Sequence, residues 1–286
     1  MIRLLLFIFS LGPFAAFACD ADPPPIALEF LKAKHVLFGQ AISKVFAKDS
    51  LTYTVKFSVE KHFKKGISLP ETLTFTLPAA GEITGRYSSC DFDVTLGQRW
   101  LLYTYERKGI LTFSYYGSNS KPLDSLEAIP VQEANILQLG YTIDYRNILF
   151  DRTVFTNPAA IDYVGPSPNI QLANLLLHIE SKKYGLTGQF NYENFIASID
   201  SMGNITELSI PDRRVKPTYY QVYDVQAIVW APLKECSSLQ HDLLQALKAS
   251  TGQWEPARFM GKAVNSQVHF QVHIDDKGRM TILILY

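Results

Sequence analysis

The chain has 286 residues, 47% hydrophobic and 19% charged, a composition that belongs to folded globular proteins and excludes long disorder. Lys plus Arg and Asp plus Glu both number 27, so there is no global field to gather nucleic acid or anionic lipid. The length suits two domains, each able to bury its own core, and an aromatic share of 13% leans towards sheet.

Residues 1–18 read as a secretory signal peptide. Arg3 supplies a basic start, Leu4 to Phe17 an apolar stretch, and Ala16-Phe17-Ala18 a small-x-small cleavage site. Gly12-Pro13 interrupts an apolar run already short of the roughly 20 residues a membrane span needs. The mature protein is therefore expected to begin at Cys19, in the periplasm or secreted. Lipidation of Cys19 is the rival fate, and only then would a membrane be a partner.

Asp20-Ala21-Asp22-Pro23-Pro24-Pro25 makes a stiff leader, followed by a short helix pattern from Ile26 to Ala33. His35 to Val45, Thr52 to Phe63, Glu71 to Leu77 and Arg99 to Tyr105 carry β-branched and aromatic residues in approximate alternation. Their spacing predicts a small antiparallel barrel or sandwich ending near Tyr116. The basic run Lys61 to Gly66 reads as a solvated turn, and Asp91 and Asp93 as solvent-facing. Residues 117–165, rich in Ser, Pro and Asn, read as a connector with a helical stretch around 124–150.

A second unit, 166–286, opens with helical spacing from Ile170 to Lys183. A strand pair follows, Phe190 to Ile199 and Asn204 to Ile210, then a helix from Leu239 to Ala249 capped by Ser237 or Ser238. Residues 211–238 look like an inserted connection. The chain ends on a second strand pair, Gln267 to Ile274 and Met280 to Tyr286, the last too apolar to be a bare tail. The segments 199–210 and 274–285 both place Asp, two residues, then Gly between strands, which reads as shared turn chemistry, with an internal duplication as the alternative.

Catalytic signals are sparse. There is no His-Glu-x-x-His, Gly-x-Ser-x-Gly, Cys-x-x-Cys or phosphate-cradling Gly loop. His269 and His273 share a strand face about 13 Å apart, too far to hold one metal without further ligands, and read as a solvated face. Cys236 reads as a lone exported thiol. No catalytic residue, metal ligand or cofactor site is expected.

Two resemblances organise the chain. "QFNYENFIASIDSMGNITELSI", "LLQALKASTGQWEPARFMGKAV" and "SQVHFQVHI", in the order helix, strand, turn, strand, helix, strand, resemble the C-terminal domain of the TonB family over roughly 166–274. Its most specific part is Trp254, Pro256, Ala257, Gly261 and Lys262. These read as structural: Trp254 a core plug, Pro256 a helix stop, Gly261-Lys262 a turn into the last strand. The resemblance implies a periplasmic α+β binding module that offers a sheet edge to extended peptides. Energy-transducing members also carry an uncleaved anchor and a long proline-rich spacer; neither is seen here, so that role is not expected.

Residues 19–105, through "HVLFGQAISKV", "YTVKFSVEKHFKKG" and "SSCDFDVTLGQRWLLYTY", are similar to the netrin-like fold shared with tissue inhibitors of metalloproteinases, an OB-type barrel. That resemblance implies a disulfide from Cys19 to Cys90. The inhibitors' Cys-x-Cys is replaced by Cys19-Asp20-Ala21-Asp22, which places carboxylates where an inhibitory edge would meet a protease.

The expected fold class is thus mixed, with a netrin-like β-barrel at 19–116, a connector at 117–165 and a TonB-like α+β domain at 166–286. The expected function is a non-enzymatic protein of the bacterial envelope that binds proteins or peptides, without nucleic acid or cofactor. A metalloproteinase-inhibitor-like role and an enzyme of unrecognised type are the alternatives.

Overall fold

The computed structural model describes residues 22–64, 70–85, 87–88, 90–151, 161–179, 184, 191–275 and 277–285. Its first half holds α1 (Ile26–Lys32), β1 (His35–Phe46), β2 (Thr52–His62), β3 (Thr72–Pro78), the one-turn α2 (Gly81–Thr84), β4 (Arg99–Arg107), β5 (Ile110–Thr112) and β6 (Lys121–Pro122). The strands run antiparallel in the order β3-β2-β1-β4-β5, with β6 on β4. β3 and β5 approach each other without pairing, which leaves a barrel-like sheet nearly closed.

Alternation explains the barrel interior. Tyr53, Val55 and Phe57 on β2, and Leu73, Phe75 and Leu77 on β3, point inward while the residues between them face out. Phe57, Phe75 and Phe113 meet edge to face at centroid separations of 5.3 to 6.0 Å. Gly39 marks a register shift in β1, where a Cβ would lie 2.4 Å from the Ser58 carbonyl oxygen. The shift coils the strand and lets the sheet curl.

β1 and β4 are buried on both faces. Leu37, Trp100 and Leu102 point into the barrel, whereas Val36, Phe38, Leu101 and Tyr103 enter a second core outside it. α1 covers this middle core with Ala27, Leu28 and Phe30. The stretch read as a connector supplies Ile129, Ile136, Leu137, Ile143, Ile148 and Phe150 to it, and the second half adds Val225, Ala257, Phe259 and Val264. The helix read around 124–150 is α3 (Val131–Leu139) flanked by single 3-10 turns, and β7 (Phe150–Asp151), β8 (Tyr163–Val164) and β9 (Ser167–Pro168) follow.

One buried carboxylate ties these layers. Glu29 on α1 accepts hydrogen bonds from the Tyr105 and Ser118 hydroxyls and from the Asn119 backbone and side-chain amides. Tyr103 donates to Glu133 of α3, which also pairs with Lys121. Burial raises the ionisation of both tyrosines well above the ordinary range.

The second half contains β10 (Asn191–Ile199), β11 (Ile205–Ser209), β12 (Thr218–Val222), β13 (Val225–Val229), α4 (Ser238–Lys248), β14 (Trp254–Glu255), β15 (Arg258–Phe259), β16 (Lys262–Ala263), β17 (Ser266–Ile274) and β18 (Met280–Leu285). The sheet runs β11-β10-β17-β18 antiparallel, with β7 parallel on β17. α4 lays Leu239, Leu243 and Leu247 on Phe195, Ala197, Val268, Phe270 and Val272. It begins with a capping box in which Ser237 accepts from the Gln240 N–H and the Gln240 side chain accepts from the Ser237 N–H.

Three local readings change. Ile170 to Lys183 gives only the 3-10 turn Leu172–Leu176 among the described residues, 180–183 lying outside them. Residues 211–238, read as an inserted connection, contain the β12–β13 hairpin. Pro256 does not stop α4, which ends at Lys248 and turns at Gly252 with φ of +75°. Across the described residues the protein is mostly antiparallel sheet with few helices, none long and apolar enough to cross a membrane.

Candidate functional site

Strand alternation sorts β17 into two rows. Val268, Phe270, Val272 and Ile274 enter the core beneath α4, so Gln267, His269, Gln271 and His273 face the other side. Register sets Ile196 of β10 and Leu285 of β18 on either side of His269, and Asn194 beside Gln271. The row is cross-linked: Gln271 Nε2 donates to Asn194 Oδ1 at 2.8 Å, and Gln271 Oε1 lies 3.1 Å from His273 Nε2.

At the other end of the row stands Asp151, fully buried on β7, whose parallel register places it beside Gln267. Asp151 Oδ2 accepts from the Ile228 N–H at 3.2 Å and lies 3.6 Å from His269 Nε2. Gln267 Nε2 donates to the Ile228 carbonyl at 2.8 Å and lies 3.4 Å from Asp151 Oδ2, so its amide nitrogen must face this cluster. The same nitrogen lies 3.0 Å from His269 Nε2.

Paired segments bring a lid over this face. Asp212 N–H donates to the Ala231 carbonyl and Leu233 N–H to the Ile210 carbonyl, setting Arg213 and Trp230 near each other. With Pro211, Asn194, Ile196, His269 and Leu285 they line a pocket of roughly 490 Å³. A second groove of roughly 270 Å³ lies between β11 and α4.

The residues singled out in the sequence lie elsewhere, His269 apart. Trp254 is 3% exposed in the core under α4, its indole N–H donating to Ser250 Oγ at 3.0 Å. Ala257 is buried in the middle core, and Pro256 lies between β14 and β15. Met260 and Gly261, with φ of +51° and +75°, make the tight turn from β15 to β16, and Lys262 lies over the Tyr145 ring. These residues build the fold and do not converge on the pocket. Cys19 lies outside the described residues; Cys90 is exposed and disulfide-bonded, and Cys236 is free and exposed.

His269, read as part of a solvated face, instead has a side chain only 15% exposed, held against Asp151. Among the described residues no three His, Cys, Asp or Glu side chains gather as a metal site. Asp93, read as solvent-facing, is exposed and pairs with Lys44, whereas Asp91, read the same way, is half-buried and accepts from the Gly81 and Ser88 N–H groups. Asp151, Arg213 and Trp230 were not singled out in the sequence; the signal that existed was an Arg-Arg pair and a Trp flanking a β-rich insertion. No protein-family model and no curated protein matches the chain.

Proposed function

We propose that the protein is an exported, non-enzymatic binding protein of the envelope whose second half pairs its sheet edge with extended peptide segments. The observation that carries this is β18: it closes the sheet on one side, and among the described residues no strand pairs with its outer edge. Such an edge offers a row of main-chain donors and acceptors to an incoming strand. Leu283, 52% exposed on its outer face, gives a partner side chain apolar contact.

The finer fold reading belongs with this proposal. The nearly closed sheet and the disulfide at Cys90 support a netrin-like, OB-type first unit with a Cys19–Cys90 bridge. α4 on the sheet and the buried Trp254 support a TonB-like second unit. A peptide captured from the envelope by cross-linking tests the mechanism. N-methylation of its backbone should abolish binding at alternate positions, and indifference at every position would sink the idea. Intact mass tests the bridge: loss of two hydrogens is expected, whereas a gain matching acyl chains would place the protein on a membrane.

A further inference from the structure

The pocket under Arg213 and Trp230 is unusual in the balance of what lines it. Asn194 Oδ1 is already taken by Gln271, so its amide N–H groups are what remain. Among the described residues nothing accepts from the Arg213 guanidinium or the Trp230 indole N–H, whereas neighbouring Arg214 is spent on Asp212. Among the described residues no carboxylate lines the pocket; Asp151, in the same cluster, is fully buried behind His269. Among the described residues, three donor-bearing side chains, Asn194, Arg213 and Trp230, thus border one cavity that no carboxylate lines.

We propose that this pocket binds a carboxylate carried on a flat apolar body. A planar guanidinium fork matches a carboxylate in two parallel hydrogen bonds, and the Asn194 amide offers a further donor. Ile196, Pro211, Leu285 and the Trp230 face supply the apolar wall for the body. A volume of roughly 490 Å³ accommodates a one-ring acid. The site lies on the sheet's face and does not depend on strand pairing at β18.

The carboxylate could come from a free acid or from a peptide C-terminus, and one experiment separates them. The chain has three tryptophans; Trp100 and Trp254 are 2% and 3% exposed, leaving Trp230 to report on the pocket. Full-length protein labelled with fluorotryptophan would be titrated by fluorine NMR with benzoate, benzamide, and Gly-Gly-Phe with free or amidated terminus. Benzoate or the free-acid peptide should move the Trp230 signal saturably, and the uncharged counterparts should not. Saturation by the peptide acid alone identifies a chain terminus as the source. Arg213→Gln, at an exposed position, should weaken binding about tenfold or more while the Trp100 and Trp254 signals stay in place. Equal response to benzamide, no saturable shift with either acid, or unchanged affinity in Arg213→Gln would overturn the assignment.

Discussion

Asp224 accepts a hydrogen bond from the Ala27 N–H at 2.9 Å, across 197 positions of chain, and a second from the neighbouring Ile26 N–H. The turn between β12 and β13 thereby caps the first turn of α1, whose own preceding residue, Pro25, offers no side-chain acceptor. Asp224→Ala should therefore cost about 1 to 2 kcal/mol, as for an N-cap lost within a helix. Urea unfolding measures it; a variant as stable as the parent would mean the cap carries no weight.

Glu29 predicts a pH dependence. Burial pushes its carboxyl above its ordinary 4.5, while hydrogen bonds from Ser118, Tyr105 and Asn119 pull it back. A carboxyl raised in the folded state stabilises fully below its unfolded value, and that contribution is lost as pH rises through the folded value. Stability against pH should thus fall more steeply above about 4.5 in the parent than in Glu29→Gln. Gln can turn its amide towards the two hydroxyls and keep the Asn119 bonds, so it should cost about 1 kcal/mol, whereas Glu29→Leu strands the donors at about 3. Identical pH profiles would refute the reading.

Two glycines separate strain from crowding. Gly203 has φ of +85° and a Cβ there would sit 2.1 Å from the Trp254 carbonyl oxygen; Gly261 has φ of +75° with open space around it. Gly203→Ala should cost about 3 kcal/mol and Gly261→Ala about 1, because only the first adds a clash to the left-handed backbone. Equal shifts in melting temperature would show that the approach to Trp254 is not tight.

Met280, Ile282 and Ile284 of β18 pack against the core beneath α4. Removing residues 280–286 should lower the melting temperature and the solubility, since it uncovers β17 as a new edge. No change in either would also weaken the case for strand pairing at this edge.

Local pattern carried the strands and local chemistry the turns. The alternation of β2, β3 and β17 was legible, as was a serine cap on α4, with Ser237 and Ser238 left as alternatives. The two Asp-x-x-Gly turns are indeed built alike: Asp200 accepts from Met202 and Asn204, Asp275 from Lys277 and Arg279, and Gly203 and Gly278 donate back. The middle core was not legible, although "RWLLYTY" is a near-continuous apolar run rather than an alternating one, the mark of a strand covered on both faces. What covers it is assembled from α1, α3 and two-residue strands, too short for any period to register. The same applies to the pocket: Asp151 sits on such a strand, 118 positions from His269, and their proximity follows from a parallel pairing that sequence spacing does not encode.

The two-faced burial of β1 and β4 also sets an order in time. A ribosome releases Val36, Phe38, Leu101 and Tyr103 early, yet part of what covers them, Ala257, Phe259 and Val264, comes near the end of the chain. The barrel can close on its interior while its outer wall stays greasy and open to other nascent chains. Contacts separated by more than 200 positions close slowly, because a long loop must be ordered before they form. A chain stalled before about residue 264 should thus be an aggregating fragment rather than a folded half, and survival during synthesis rests on holding that wall apart until the last strands arrive.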